Sequence, residues 1–273
     1  MKFSNLLYTA ILLLVSSPAY TQVEQWDTYI TRFDGKPGSV LVDMGLYQSA
    51  PDKKYPNVVI TGPQANKCGD QGMSDAEEIE ELENMLSASG NFITGVTPRI
   101  LAGTFTNNCK RLNYYYVKDT VGIRNALARM YARSYKNYNY FITIKHDPEW
   151  LTYRTFLYPD EATQNWMANS KLVKKLIGEG DSLKKPRNVY FDFYFSSDAE
   201  RSSFAASELV KGYQQVQLTE SKKQRAYGIV LSKQTPVTMD DINRITAELK
   251  VDTKKFSGTY AGWRSMREKE AKK

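Results

Sequence analysis

Residues 188–195 read NVYFDFYF, a run in which apolar and more polar side chains alternate. This period of two predicts a half-buried β-strand, because successive side chains of a strand point to opposite faces of its sheet. Asp198 then begins a predicted helix that contains Phe204 and Leu209, and Gly212 ends that helix. The stretch therefore predicts a strand followed directly by a helix.

The elements that follow this helix indicate a fold class. Residues 213–218 and 225–231 are predicted strands that pair around the polar stretch 219–224. Thr238 caps a second helix, and a strand at residues 256–263 closes the sheet. The order of strand, helix, strand, strand, helix and strand is the split βαβ order of a ferredoxin-like sandwich.

Residues 57–145 predict the same order of elements. A short β-branched strand at residues 57–61 precedes a helix that starts in a capping box formed by Ser74 and Glu77. Gly90 is placed to stop this helix, and two strands, a second helix and a last strand follow. We therefore expect an α+β protein of two ferredoxin-like sandwich domains with antiparallel sheets, preceded by a signal peptide.

The run from Gly178 to Pro186 is the best linker candidate, because it combines glycine, proline and charged residues. Residues 150–157 favour a strand and residues 159–177 favour a helix, and both are assigned to the first domain. The expected organisation is a signal peptide at 1–21, a first domain at 22–180, a second domain at 187–264 and a basic tail at 265–273.

The first residues have the features of a secretory signal peptide. A basic start at Lys2 precedes an apolar run at residues 6–15, and small residues follow, which allow cleavage after Ala19 or Thr21. About ten apolar residues are too few to span a bilayer, which needs about twenty. The alternative is a hydrophobic first element of the fold. We expect a periplasmic or secreted protein without a stable membrane anchor.

The charge of the chain is only mildly basic, at +7 from 37 basic and 30 acidic residues. Part of the excess lies in the tail from Arg264 to Lys273, which is typical of a solvated helix end. An exported protein seldom meets nucleic acid, so we expect no nucleic-acid partner. The motifs of the chain suggest no cofactor and no metal.

Cys68 and Cys109 are the only two cysteines of the chain. In an oxidising compartment they favour a disulfide, which would contribute at most about 4 kcal/mol of stability. Two unpaired thiols are the alternative. A metal site that combines both cysteines with His146 would still lack a fourth ligand.

Candidate catalytic chemistry is sparse. His146 precedes Asp147 and Glu149 at the end of a strand, where a general base with an orienting carboxylate could sit. A surface or capping histidine accounts for the same pattern. Cys109 beside Lys110 could act as a nucleophile, but the disulfide competes with that role. The sequence carries no phosphate-binding loop or nucleophile elbow, so an enzyme is the less favoured interpretation.

Tyrosines and arginines cluster in the first half of the chain. Such residues can stack on bases or sugars, although burial in strands and helices explains them without a ligand. The cluster comprises Tyr114, Tyr115, Tyr116, Tyr131, Tyr135, Tyr138, Tyr140, Arg129 and Arg133.

The second half resembles a known family. The run 188–195, Gly212 with Tyr213, and residues 258–263 (GTYAGW) are similar to the regulator of ribonuclease E activity B. That family implies a small ferredoxin-like domain that inhibits an endoribonuclease by binding it. Its closing Tyr-Asp-Gly-Trp motif appears here with Ala261 in place of the aspartate, and its rings are Tyr260 and Trp263. With His146, these rings are the candidate functional surface, although the packing of a terminal strand explains Tyr260 and Trp263 without a partner.

The first half resembles a bacterial domain of unknown function, number six-ninety-five. The resemblance rests on Trp26 with Asp27 and Thr28, the run 35–39 (GKPGS), Thr61 with Gly62 before Cys68, and residues 109–112 (CKRL). It implies no activity.

Inhibition of a cytosolic ribonuclease cannot simply apply to an exported protein. We therefore expect a non-catalytic module that binds an unknown protein partner. The alternative is an extracytoplasmic enzyme or a small-ligand or carbohydrate-binding protein that uses the aromatic and basic surface.

Overall fold

The computed structural model describes residues 24–221 and 226–268, which divide into two compact units between Tyr158 and Pro159. Both units combine helices with an antiparallel sheet, so the predicted α+β class is confirmed. The predicted signal peptide at 1–21 and residues 269–273 of the predicted tail lie outside the described residues. Within the described ranges, no helix has both the length and the apolar character needed to cross a membrane.

The first unit contains a six-stranded antiparallel sheet with the order β1-β2-β4-β5-β3-β6. Helices α1 (Ile79–Thr94) and α2 (Ile123–Ser134) pack on one face of this sheet through a core that includes Met85, Leu127 and Tyr115. The strands are β1 Trp26–Phe33, β2 Lys36–Asp43, β3 Asn57–Pro63, β4 Arg99–Asn107, β5 Lys110–Val117 and β6 Tyr140–His146.

The ends of α1 differ from the prediction. Ser74 forms a β-bridge with Cys68, and α1 begins only at Ile79, so the predicted capping box is not formed. Gly90 does not stop the helix, which continues to Thr94. A Cβ atom at Gly90 would lie 2.9 Å from the Tyr115 hydroxyl, so the absence of a side chain there lets the helix pack closely on the sheet.

The predicted strand at residues 150–157 is wrong, because Thr152–Leu157 forms a short π-helix. The Asp147 carboxylate accepts hydrogen bonds from the backbone N–H groups of Leu151 and Thr152 at 2.8 and 2.9 Å, which starts a helical turn. The buried Trp150 ring stacks on Tyr116, with ring centroids 3.8 Å apart. These local contacts override the β-propensity of the aromatic residues.

The second unit contains a four-stranded antiparallel sheet with the order β10-β7-β9-β8. Its elements are α3 Glu161–Gly178, β7 Arg187–Phe195, α4 Asp198–Leu209, β8 Gln214–Ser221, β9 Ala226–Thr235, α5 Met239–Lys255 and β10 Thr259–Ser265. Ser197 and Glu200 form a capping box at α4, and Thr238 caps α5 as its position in the sequence predicts.

Helix α3 packs in the second unit, although the sequence placed it in the first domain. Its buried Val173 and Leu176 belong to the same core as Phe191 and Trp263. The division of the chain therefore precedes α3 and does not fall in the predicted linker between residues 178 and 186. A sequence pattern shows that a helix has an apolar face but does not show which sheet that face covers.

Asp181, which lies in the predicted linker, is buried in an ion pair with Arg187. Asp181 and Arg187 are both buried, and Arg187 Nη2 donates to Asp181 Oδ1 at 2.9 Å. The hydrogen bond from Arg187 is the main cause that lowers the pKa of Asp181 to about 2. An unfolded aspartate has a pKa of about 3.9, so this pair contributes stability above about pH 4 that is lost as the pH falls towards 2.

Replacing Arg187 with methionine should lower the free energy of unfolding by about 3–5 kcal/mol near pH 7, because the buried Asp181 charge would keep its backbone hydrogen bonds but lose its cationic partner. Urea unfolding of the full chain measures this change. Lys185 forms an exposed ion pair with Glu268, so Lys185→Met is the matched control and should change stability by less than about 1 kcal/mol. Equal effects of the two substitutions would contradict the structural role of the buried pair.

Candidate interaction surface

The structure places His146 and Asp147 in different environments. His146 is exposed at the end of β6, and its Nδ1 lies 3.0 Å from Asn57 Oδ1. Asp147 is buried and accepts a hydrogen bond from the Tyr116 hydroxyl at 2.7 Å. Burial alone would raise the pKa of Asp147, but the hydrogen bonds from Tyr116 and from Thr152 lower it below its usual value. The carboxylate therefore caps the π-helix, whereas the imidazole is paired with the Asn57 amide.

The tyrosine and arginine cluster does not form one surface. Tyr115 points to the helix-covered face of the sheet, whereas Tyr116 points to the opposite face against Trp150. Tyr114 and Tyr131 are also buried, and Arg129 and Arg133 are exposed on α2. Successive side chains of β5 point to opposite faces of the sheet, so neighbouring tyrosine rings pack in two different cores.

Cys68 and Cys109 form a disulfide with Cα atoms 5.7 Å apart, as the sequence predicts. No cysteine of the described chain is free, so Cys109 supplies no thiol nucleophile in this state. The bridge joins the segment before α1 to the turn between β4 and β5. Within the described residues, no group of His, Cys, Asp and Glu side chains has the arrangement of a metal site.

Replacing both cysteines with serine should lower the free energy of unfolding of the oxidised protein by about 2–4 kcal/mol, because the bridge restricts the unfolded chain. Denaturant unfolding with and without a reductant measures the effect. The reductant should destabilise the native chain by a similar amount and leave the double variant unchanged. A native chain that does not respond to reductant would contradict this role.

Tyr260 and Trp263 lie on the helix side of the second sheet. Trp263 is 6% exposed, and its Nε1 donates to Asn169 Oδ1 at 2.9 Å. Tyr260 is half-buried against Phe193, with ring centroids 5.5 Å apart, and burial raises its pKa. The buried Trp263 ring anchors β10 to α3 and presents little surface to a partner.

Replacing Asn169 with alanine should cost about 1–3 kcal/mol of stability, because the buried Trp263 N–H would lose its acceptor. Thermal and denaturant unfolding measure the loss. The exposed Asn188→Ala should be close to neutral. An Asn169 variant as stable as the native chain would contradict the anchoring role.

The opposite face of the second sheet carries exposed polar and aromatic side chains. Along β7, Phe191 and Phe193 are buried under the helices, whereas Tyr190, Asp192 and Tyr194 point outwards. Tyr194 is 47% exposed. We call these three residues, together with Arg264 of β10, the outer face.

Cross-strand contacts organise the outer face. Arg264 lies opposite Tyr190 in the register of β10 and β7, and its guanidinium carbon is 5.6 Å from the Tyr190 ring centroid. The same guanidinium forms an ion pair with Asp192. Tyr and Arg are enriched at the energetic centres of protein interfaces, so this arrangement suits protein recognition.

A shallow depression of about 110 Å³ lies within the outer face. Gly228 of β9 forms part of its lining, and a Cβ atom there would lie 2.2 Å from Thr219 Oγ1 and 3.2 Å from the Tyr194 ring. The missing side chain thus lets Tyr194 lie across the neighbouring strand. Asp192 and Arg264 form the other side of the depression.

Strand β8 borders this face as an edge of the sheet. Val216 and Leu218 are about half exposed, at 51% and 49%. The register shifts between Gln215 and Gln217, which marks a bulge. Bulges are one way in which proteins limit unwanted pairing at an exposed edge.

The sequence predicts the strand at 188–195 but indicates Tyr260 and Trp263, which packing also explains, as candidate surface residues. The alternation of β7 already divides its residues between two faces, so Tyr190 and Tyr194 could have been selected from the sequence. The contributions of Arg264 and Gly228 depend on the strand register, which the pattern along one strand does not give.

Comparisons with known proteins match the two parts of the chain in turn. The model described as "Family of unknown function (DUF695)" matches residues 24–158, and the model "Regulator of ribonuclease activity B" matches residues 166–265. Both resemblances, and their order, are confirmed.

The other comparisons add little. No curated protein is similar enough to be a match. Among solved structures, the chain is similar to the crystal structure of a candidate glycine cleavage system transcriptional repressor, with 8% identity over 77% of this chain and 98% of that chain. The TM-score is 0.21, which is too low to indicate a shared fold.

The two family matches show that the chain carries a DUF695 family region at residues 24–158, followed by a regulator of ribonuclease activity B family region at residues 166–265.

Proposed function

We propose that this chain is an exported, non-catalytic regulatory protein whose second unit binds a partner protein through the outer face. The observation that carries the proposal is the outward-facing arrangement of Tyr190, Tyr194, Asp192 and Arg264, in which Tyr194 and Arg264 are exposed and the other two are partly buried, in the region matched by the regulator family. A regulator of an enzyme must bind that enzyme, and this face has the residue types that interfaces favour.

The strand order supports a finer description of the fold. Numbered within each βαββαβ unit, β7–β10 have the order 4-1-3-2, and so do β3–β6. We infer that both units are ferredoxin-like sandwiches, with the β1–β2 hairpin added beside β4 in the first unit. Such sheets leave one face available for recognition, although a fold alone does not determine a function.

We further propose that the protein acts in the periplasm or is secreted. The signal-like residues 1–21 support this location, and the disulfide between Cys68 and Cys109 is typical of oxidising compartments. An exported protein does not meet a cytoplasmic ribonuclease, so the partner we propose is another extracytoplasmic protein. The tyrosines of the first half are divided between buried cores, which gives less support to the ligand-binding alternative. The Asp147 carboxylate is occupied by its hydrogen bond from Tyr116, which gives less support to the enzymatic alternative.

Affinity capture from the extracytoplasmic fraction of the producing cells, with the tagged full chain as bait, tests the proposal. Tyr194→Ala should weaken the recovered complex by about 2 kcal/mol, or roughly thirtyfold in Kd, and Arg264→Ala should also weaken it. Tyr47 is 41% exposed in the first unit, so Tyr47→Ala is the matched control and should retain the partner.

Three outcomes would contradict this function. The first is that the outer-face variants retain the captured protein as well as the Tyr47 variant does. The second is that the native chain recovers no partner. An unprocessed chain found only in the cytoplasm would contradict the proposed export.

A further inference from the structure

Helices α3 and α5 run antiparallel in the second unit and are held together by a buried polar network. The Thr246 hydroxyl accepts hydrogen bonds from the side-chain amides of Asn165 and Asn169, each at 2.8 Å, and donates to the Ile242 carbonyl at 2.7 Å. Asn169 also donates to Asn243 at 2.8 Å. Because the Thr246 hydroxyl accepts two hydrogen bonds and donates one, this network fixes the distance between the helices.

A groove of about 480 Å³ lies between these helices beside the network. Ala162 of α3 and Ala247 of α5 line it, and their small side chains leave the space open. Trp166 and Val251 add larger apolar surfaces, and they are 39% and 58% exposed. The volume lies in the range of about 300–1,000 Å³ that is typical of small-molecule sites, which are also mainly apolar.

Polar side chains also line the groove. Lys254 Nζ lies 2.5 Å from Glu161 Oε2, and Asn165 and Asn243 contribute side-chain amides to the lining. The volume of the groove favours a small molecule over an extended chain.

Lys250 supplies a cationic group within the groove. It is half-buried, and it forms no ion pair with any residue in the described ranges. Burial lowers its pKa, the nearby Glu161 raises it, and Lys254 lowers it further. An anionic group beside this ammonium would neutralise a partly desolvated charge.

We propose that this groove binds a small apolar monocarboxylate, a free carboxylic acid with an aliphatic or aromatic body. The carboxylate pairs with Lys250, and the body lies on Trp166, Ala247 and Val251. The charge of Lys250 is complementary to one carboxylate, and the apolar lining is complementary to the rest of the ligand. This site is separate from the outer face and does not depend on the proposed partner.

Isothermal titration of the full chain with sodium decanoate tests this site, with decanol as the uncharged comparison. Decanoate should bind saturably, and it should bind more tightly than decanol. Lys250→Met keeps the aliphatic stem but removes the charge, so it should weaken decanoate binding by about tenfold and leave decanol binding unchanged. Ala247→Trp should fill the groove and abolish binding of both compounds.

Lys174→Met is the matched control, since Lys174 is an exposed residue of α3 outside the groove, and it should bind decanoate like the native chain. Circular dichroism confirms that each variant is folded, and Lys250→Arg, which keeps the charge, should retain decanoate binding. The proposal is overturned if decanoate does not bind saturably, as expected of a groove that seats a protein segment. It is also overturned if folded Lys250→Met binds decanoate as tightly as the native chain.

Discussion

The alternation of side chains along β7 determines both faces of the second unit. Val189, Phe191, Phe193 and Phe195 are buried beneath the helices, and each is at most 3% exposed. A slip of one residue in register would expose these four apolar side chains, so their burial fixes the register. The outward positions of Tyr190, Asp192 and Tyr194 follow from the same constraint.

The unit is completed by a helix that precedes the βαββαβ order. Helix α3 contributes Val173 and Leu176 to the core, and it contributes Asn165 and Asn169 to the hydrogen bonds at Thr246 and Trp263. Buried amides require partners, because an unsatisfied polar group is costly. The same network therefore attaches α3, fixes β10 and leaves the groove between α3 and α5.

Sequence patterns predicted the features that depend on local chemistry. The strands β3 and β7, the Thr238 cap and the Cys68–Cys109 pairing could all be recognised from residue types and spacing. The family resemblances also identified both regions of the chain. These features need little knowledge of distant contacts.

Features that depend on tertiary contacts were missed or misplaced. The unit to which α3 belongs depends on which sheet the helix covers. The π-helix depends on the capping carboxylate of Asp147. The sequence left Trp263 open as a surface or a packing residue, because its partner Asn169 lies 94 positions away in the chain. The outer face similarly required the register of β10 and β9 beside β7.

Hydroxyl-radical footprinting of the full chain, alone and bound to its captured partner, shows whether the partner covers the outer face. Tyr190 and Tyr194 should lose reactivity in the complex, while the exposed Tyr47 keeps its reactivity. Unchanged oxidation of Tyr190 and Tyr194, with protection confined to the first unit or to the helices of the second unit, would contradict recognition through the outer face.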